Sequence, residues 1–295
     1  MLKKALSLTP DAYIPDLEDS VPVNEKGNAR EIVRSFLKDL SLLGPLVIPR
    51  VNSLDTGLLT DDLESLVCSY LYGVSIGKIY SARDVESISS TLNEIEKRKG
   101  LEIGQTKLIL WLETASAIVN AYDICVSSER IVAVAFGAED FTNDMEIERL
   151  NDEFQTTYAK SAVCIAARAA GIPALDTPFF SFRDNDALEQ DAKIAKMYGF
   201  RGKFAIHPDQ IETINRVFSP SPEEIEYARQ VIAASEQAEL NGRGSTSLNG
   251  KVIDVPVVKR AESLIKLAEA CLLYTSDAAD DTPCVALGGR RIIKK

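Results

Sequence analysis

The residues best equipped for chemistry in this 295-residue chain are acids that stand just after short apolar runs: Asp16, Glu18 and Asp19, then Glu113, then Glu139 and Asp140, then Asp176. Arg50, Lys78 and His207 hold the same relation to other runs. Carboxylate oxygens suit a hard divalent cation, and a guanidinium among them suits an anionic oxygen substrate. His207 is the sole histidine, which excludes a multi-histidine metal centre within one chain and makes any Ser-His or Cys-His scheme depend on it. The five cysteines (Cys68, Cys125, Cys164, Cys271 and Cys284) are odd in number, far apart and contain no CxxC pair. Neither a disulfide framework nor a thiolate zinc site is expected, and a reducing compartment is favoured. Chemistry here must rest mainly on carboxylates, Arg and Lys, with an oxygen-held cation as the natural helper.

Each of these residues also has an ordinary structural role open to it. Glu18 or Asp19 can cap a helix, Arg50 can sit in a buried ion pair, Asp176 can shape a turn, and His207 can be a hydrogen-bonded strand-end residue rather than a substrate contact. Trp111 reads as core rather than as a stacking platform. Lys78 is open to a Schiff-base role, which the abundance of carboxylates disfavours. It is convergence on one rim that would make the set functional.

The elements needed for convergence can be read from periodicity. Apolar runs at 12–15, 46–50, 73–79, 108–112, 131–136, 173–176 and 202–206 predict strands. Helical spacing over 61–72, 82–99, 115–127, 158–170 and 187–198 fills the gaps. Strand-helix alternation of this kind implies an α/β fold with a parallel sheet. In a TIM (β/α)8 barrel the C-terminal strand ends meet at one mouth, where every acid named above would fall. Seven units are visible where a closed barrel needs eight, so the expected fold is such a barrel lacking its first strand, from an N-terminally truncated chain. A doubly wound open sheet is the alternative, weakened because no Gly-x-Gly-x-x-Gly follows any strand.

The barrel is expected to occupy residues 1–218. Ser219-Pro220-Ser221-Pro222-Glu223-Glu224 starts a helix to about 240, an Asn249-Gly250 turn follows, and a last helix ends near 270. Residues 219–270 thus form a C-terminal helical arm suited to docking on a neighbour, and 271–295, with neither period, read as a non-native or disordered tail. Lys and Arg number 33 against 44 acids, a net charge of −11 that disfavours nucleic acid as a partner. No stretch reaches the roughly 18 apolar residues of a membrane span. Cytoplasm is the expected compartment, or mitochondrion if a targeting peptide has been lost.

The residues also carry a resemblance. Asp16-Leu17-Glu18-Asp19-Ser20-Val21, with Lys26 and Ala29-Arg30 behind it, resembles a signature of the citrate lyase β-subunit-like branch of the HpcH/HpaI aldolase superfamily. Pro49-Arg50-Val51-Asn52, Leu112-Glu113-Thr114-Ala115, Phe136-Gly137-Ala138-Glu139-Asp140-Phe141, Gly202-Lys203-Phe204-Ala205-Ile206-His207-Pro208 and the run from Gly250 to Val258 follow in the family's order. The resemblance implies a TIM barrel that assembles as a homotrimer and uses Mg²⁺ with coenzyme A thioesters. It implies a carbon-carbon lyase that cleaves or forms a β-hydroxyacyl-CoA, such as malyl-CoA or citramalyl-CoA, to give acetyl-CoA and a 2-oxo acid.

Carried over position by position, it makes Glu113 and Asp140 metal ligands, with Glu113 also touching substrate, and has Glu18 and Asp19 hold the metal's waters. Arg50 becomes the carboxylate and enolate clamp, and Asp254 an acid/base residue lent to a neighbouring protomer. Lys4 contacts the coenzyme A portion, and Phe204 and Ala205 line the substrate. The alternatives are the β subunit of a citrate lyase complex acting with partner subunits, a malyl-CoA thioesterase, and a catalytically silent binder of CoA esters. Departures from the family are the missing first strand, Ala117 where a Gly is common, and Glu146 where a Gly is frequent.

Overall fold

The protein is described here by a computed structural model covering residues 2–8, 10–149 and 154–277. After a short helix α1 (Leu2–Ala5), strand β1 (Ala12–Tyr13) leads through helix α2 (Lys26–Ser41) to β2 (Leu46–Val47) and β3 (Arg50–Val51). These last two are the ends of one extended segment interrupted at Pro49, which has no N–H to donate. The segment stays paired on both sides: the Arg50 N–H donates to the Pro15 carbonyl (2.8 Å) and the Ser75 N–H to the Pro49 carbonyl (2.9 Å). Helix α3 (Leu59–Leu66), β4 (Gly73–Ile76), α4 (Ala82–Arg98) and β5 (Lys107–Leu112) follow. Next come α5 (Ala115–Val119), α6 (Ala121–Val126), β6 (Ile131–Phe136), α7 (Ala138–Asp144), α8 (Thr157–Ala170), β7 (Ala174–Asp176), α9 (Asn185–Tyr198) and β8 (Gly202–Lys203).

Strands β3 to β8 pair in parallel in chain order, and β1 pairs in parallel with β2. The result is an α/β parallel sheet of the TIM-barrel kind; among the described residues no pairing joins β8 to β1. No helix of the described residues is long and apolar enough to cross a membrane.

Alternation along the strands sorts the core into two layers. On β5, Leu108, Leu110 and Leu112 face the helices, whereas Ile109 and Trp111 join Ile48, Ala133, Ala135 and Leu175 on the inner face. Trp111 is buried there; its indole N–H donates to Ser75 Oγ (2.7 Å), and its ring tilts against Phe204 with centroids 4.3 Å apart. The same period that puts Ile109 and Trp111 inside brings Glu113, two residues on, to the inner mouth. On the β2–β3 segment Leu46 and Ile48 do the same for Arg50.

Local chemistry fixes the helix ends. Ser81 with Asp84 and Ser221 with Glu224 form capping boxes, and Pro222 stands in the first turn of its helix. Helix 115–127 of the sequence reading is broken into α5 and α6 around Asn120, whose side chain bonds back to the Ser116 carbonyl (2.9 Å). After α10 (Gln210–Phe218), the arm comprises α11 (Pro222–Leu240), an antiparallel hairpin β9 (Thr246–Leu248) and β10 (Lys251–Ile253), and α12 (Val255–Asp277). Asn249 and Gly250 turn the hairpin at φ 51° and 76°, as an Asn-Gly pair favours. The arm has its own small core of Ala228, Val231, Ile253 and Ala261. Helix α12 continues across position 270, where the sequence places the end of the arm. Of the expected tail, residues 278–295 lie outside the described residues.

Candidate functional site

The carboxyl end of β5 delivers Glu113 into a niche made by two glycines. Gly77 follows β4 and Gly137 follows β6; a Cβ at Gly77 would stand 2.7 Å from Glu113 Oε1, and one at Gly137 would overlap Oε2. Glu113 is 4% exposed, and its Oε1 accepts the Lys78 backbone N–H at 2.7 Å. Lys78 reaches this position with φ 54°, a conformation uncommon for a residue bearing a Cβ. Asp140, in the first turn of α7, is near enough for its charge to act on Glu113. Burial first, then Asp140, pushes the Glu113 carboxyl up to about 8. Asp140 is itself raised, by burial and then by Asp19.

The opposite wall comes from the segment after β1. The Arg50 guanidinium donates from Nε and Nη2 to the two oxygens of Asp16 (2.8 and 2.6 Å), a bidentate pair that fixes its plane. That pair holds Asp16 down to about 2 despite burial. Nη1 is left to face Glu18 (3.2 Å) and Asp19 (3.6 Å). Glu18, 3% exposed, is raised by burial. Beneath it the buried ammonium of Lys26 donates to the carbonyls of Leu17 (2.7 Å) and Glu18 (2.6 Å), so the motif lysine serves as a strut for the acidic loop. Likewise Arg30 donates to Asp62, whose other oxygen accepts both the backbone and side-chain N–H of Asn52.

The structure therefore brings together Glu18, Asp19, Arg50, Lys78, Glu113 and Asp140. Lys78 Nζ lies 3.4 Å from Glu18 and 3.5 Å from Asp19. Burial alone would push its ammonium down, but these acids carry it above its ordinary value, the opposite of what a Schiff-base amine needs. Phe204 joins the inner layer against Trp111, and Ala205 follows it at the exposed mouth.

Other sequence candidates go elsewhere. Asp176 faces outward and pairs with Lys203 (2.5 Å) and Lys160 (3.5 Å), while Lys203 also meets Asp191 of α9 (2.5 Å); this network is buried between sheet and helices. Glu139 pairs with Arg149 (2.6 Å). His207 stacks on Phe182 with centroids 4.8 Å apart, and its Nδ1 accepts the Asp209 N–H (3.3 Å), a structural arrangement. Lys4 is exposed on α1. Asp254 is exposed and accepts the Val257 N–H (3.2 Å) at the start of α12; no hydrogen bond or ion pair among the described residues joins it to the acid cluster.

The donor set suits Mg²⁺. It is all oxygen, two of its carboxyls disfavour each other's charge, and the two glycines keep the Glu113 oxygens clear of side chains. Among the described residues no group of three or more His, Cys, Asp or Glu side chains is arranged to hold a metal ion. Gly77, Gly137, Lys26 and Asp16 are the site residues that sequence reasoning did not single out for these tasks. A Gly directly after a strand at the barrel mouth is the signal that would have found the first two.

Known proteins are similar to this chain over nearly its whole length. Citrate lyase subunit beta of Leuconostoc mesenteroides subsp. cremoris is 36% identical over 94% of this chain and 92% of its own. Mitochondrial citramalyl-CoA lyase of Homo sapiens is 32% identical over 90% of this chain and 81% of its own. Among solved structures, CitE from Mycobacterium tuberculosis in complex with magnesium, acetoacetate and coenzyme A is 29% identical. It superposes with a TM-score of 0.70 over 88% of this chain and 90% of that one. The pattern of HpcH/HpaI aldolase/citrate lyase matches residues 1–208, and with these relatives it shows that the chain belongs to the HpcH/HpaI aldolase/citrate lyase family.

Proposed function

We propose that this protein is a Mg²⁺-dependent carbon-carbon lyase that splits a β-hydroxyacyl-CoA, such as citramalyl-CoA or malyl-CoA, into acetyl-CoA and a 2-oxo acid. The observation that carries the reading is the buried Glu113 beside Asp140, cleared by two glycines and near enough to Arg50 to feel its charge. Glu113 and Asp140 hold the cation, and Glu18 and Asp19 hold its waters. Bound there, Mg²⁺ supplies Lewis-acid polarisation of the substrate's carboxylate and hydroxyl oxygens.

The residues then divide the work. In the cleavage direction the substrate hydroxyl gives its proton to the Asp254 carboxylate of a neighbouring copy, and its oxygen becomes the carbonyl of the 2-oxo acid. The carbon-carbon bond breaks, and its electron pair passes into the thioester enolate. Arg50, oriented by Asp16, presents Nη1 to that developing charge or to the carboxylate. The same Asp254 then returns that proton to the enolate carbon, giving the acetyl methyl. Phe204 and Ala205 border the acyl group, and Lys4 meets the coenzyme A portion.

This division of labour calls for a homotrimer built from the barrel of residues 1–218, with the arm of residues 219–270 reaching across. Exposed Val119, Tyr122, Val126 and Ile165 offer apolar surface for such contacts. The free cysteines Cys68, Cys125 and Cys164 accord with a reducing compartment, cytoplasm or mitochondrial matrix.

Incubation with citramalyl-CoA and with malyl-CoA, with Mg²⁺ or with EDTA, is expected to yield acetyl-CoA plus pyruvate or glyoxylate only with Mg²⁺. Free coenzyme A with intact hydroxy acid would replace the lyase by a thioesterase. Binding of the ester without turnover would leave a complex subunit or a silent binder. The shared site has its own test. Arg50→Ala and Asp254→Ala are each expected to lose turnover by about 10²-fold or more. Mixing and refolding the two variants is expected to restore part of the activity, because some sites then receive both intact residues. No recovery from a correctly assembled mixture would return Asp254 to its own chain's chemistry or to a capping role alone.

A further inference from the structure

Lys78 combines two features that its place after β4 alone does not require. Its backbone is held at φ 54°, where the N–H is aimed at Glu113 Oε1 (2.7 Å). Its ammonium returns over the same mouth to lie 3.4 Å from Glu18 and 3.5 Å from Asp19, with the side chain 27% exposed. A disfavoured backbone conformation persists only when its surroundings over-determine it. Here one residue ties the Glu113 wall of the site to the Glu18–Asp19 wall. The other cation of the cluster, Arg50, gives Nε and Nη2 to Asp16 and reaches Glu18 and Asp19 with Nη1 alone, so Lys78 is the second cation on these two acids and, among the described residues, the one with no further acid to hold.

We propose that Lys78 is the internal counter-cation of the site. Its ammonium, together with Arg50 Nη1, offsets the charge of Glu18 and Asp19 in the metal-free protein and thereby helps set how tightly Mg²⁺ binds, while its N–H keeps Glu113 in register. The inference rests on the reading of Glu113 and Asp140 as the metal-binding pair. It makes Lys78 a positioning residue rather than a catalytic one. A positive charge beside the cation opposes it, so the lysine trades affinity for a site that stays assembled when empty.

The test is Mg²⁺ titration by calorimetry of EDTA-stripped full-length protein, alongside thermal melts with and without Mg²⁺. Lys78→Met keeps the Cβ and stem, so the backbone strain is unchanged and only the charge is removed. It is expected to bind Mg²⁺ about tenfold more tightly, the order expected for deleting a unit charge several ångströms from a divalent ion. It is also expected to melt lower than the parent in EDTA and to recover at saturating Mg²⁺. Lys78→Arg is expected to bind within about twofold of the parent, since the charge is kept. Lys78→Met binding no more tightly, or melting lower by the same margin with and without Mg²⁺, would overturn the proposal and leave a merely structural lysine. A Glu113→Gln protein that binds Mg²⁺ like the parent would instead overturn the metal reading itself.

Discussion

Glu113→Gln is expected to abolish Mg²⁺-dependent cleavage, with turnover falling by about 10³-fold or more, and to weaken Mg²⁺ binding by at least about 100-fold. The substitution is nearly isosteric. The glutamine Oε1 can still accept the Lys78 N–H, and the niche made by Gly77 and Gly137 is unchanged. What is lost is the charge. The consequence for stability has the opposite sign. Burial and Asp140 push Glu113 up to about 8 in the metal-free protein, above its ordinary 4.5. Between those values the folded state holds a proton that the unfolded state has released, so metal-free stability falls as pH rises from about 4.5 to 8. Gln carries no such proton. Metal-free Glu113→Gln is therefore expected to melt no lower than the parent at pH 8, and its melting temperature to depend less on pH across that window. In the parent, Mg²⁺ must displace the proton, so its affinity is expected to climb from pH 6 to 8 and then level. Calorimetry and thermal melts over this range check both statements. A variant that melts far below the parent while still cleaving substrate would make Glu113 a structural residue.

This frustration explains which parts of the site the sequence reveals. Glu113, Arg50 and Asp140 are visible because strand alternation brings them to the mouth, and their types are costly to bury without a task. Asp176 obeys the same strand-end position but not the same face. It is the last residue of β7 and lies next to inward-facing Leu175, so alternation turns it outward to Lys160 and Lys203. Position alone placed it on the rim; parity within the strand removes it. His207 shows the reverse case, where a polar strand-end residue is satisfied locally by Phe182 and Asp209.

The fold was legible for a related reason. Seven apolar runs correspond to seven paired parallel segments, and the Asn249-Gly250 turn makes its hairpin. What periodicity underspecifies is length. Run 202–206 pairs only at Gly202–Lys203, because the chain beyond it turns outward, with Gln210 accepting the N–H groups of Ile206 and His207. Glu146 adopts φ 55°, a backbone that Gly reaches without strain, so the sequence places a strained residue at this turn. Lys26 was legible as a motif residue but not as a strut, since nothing in a sequence tells a buried ammonium facing carbonyls from an exposed one.

The glycine niche yields the second large effect. Gly137→Ala requires no unusual backbone, since Gly137 has φ −102°; the objection is purely spatial. The new Cβ would overlap Glu113 Oε2 and stand 2.8 Å from Glu113 Cβ. The carboxylate can rotate away, but the Cβ is fixed to β5, so the strand or the β6–α7 turn must move. Either movement displaces Glu113 relative to Asp140, three residues along from Gly137. Misplacement of about 1 Å costs catalysis about 10²-fold, and overpacking costs about 1–3 kcal/mol of stability. Gly137→Ala is thus expected to fold with a lowered melting temperature, to bind Mg²⁺ at least tenfold more weakly, and to lose about 10²-fold in kcat/KM. Gly77→Ala is the internal comparison. Its Cβ would meet only the movable ends of Glu113 (2.7 Å) and Glu18 (3.3 Å), so a smaller loss is expected. Steady-state kinetics and calorimetry on the two variants decide the matter. Equal effects, or a Gly137→Ala enzyme within threefold of the parent, would show that the acid pair does not depend on close backbone approach, and the niche would lose its place in the mechanism.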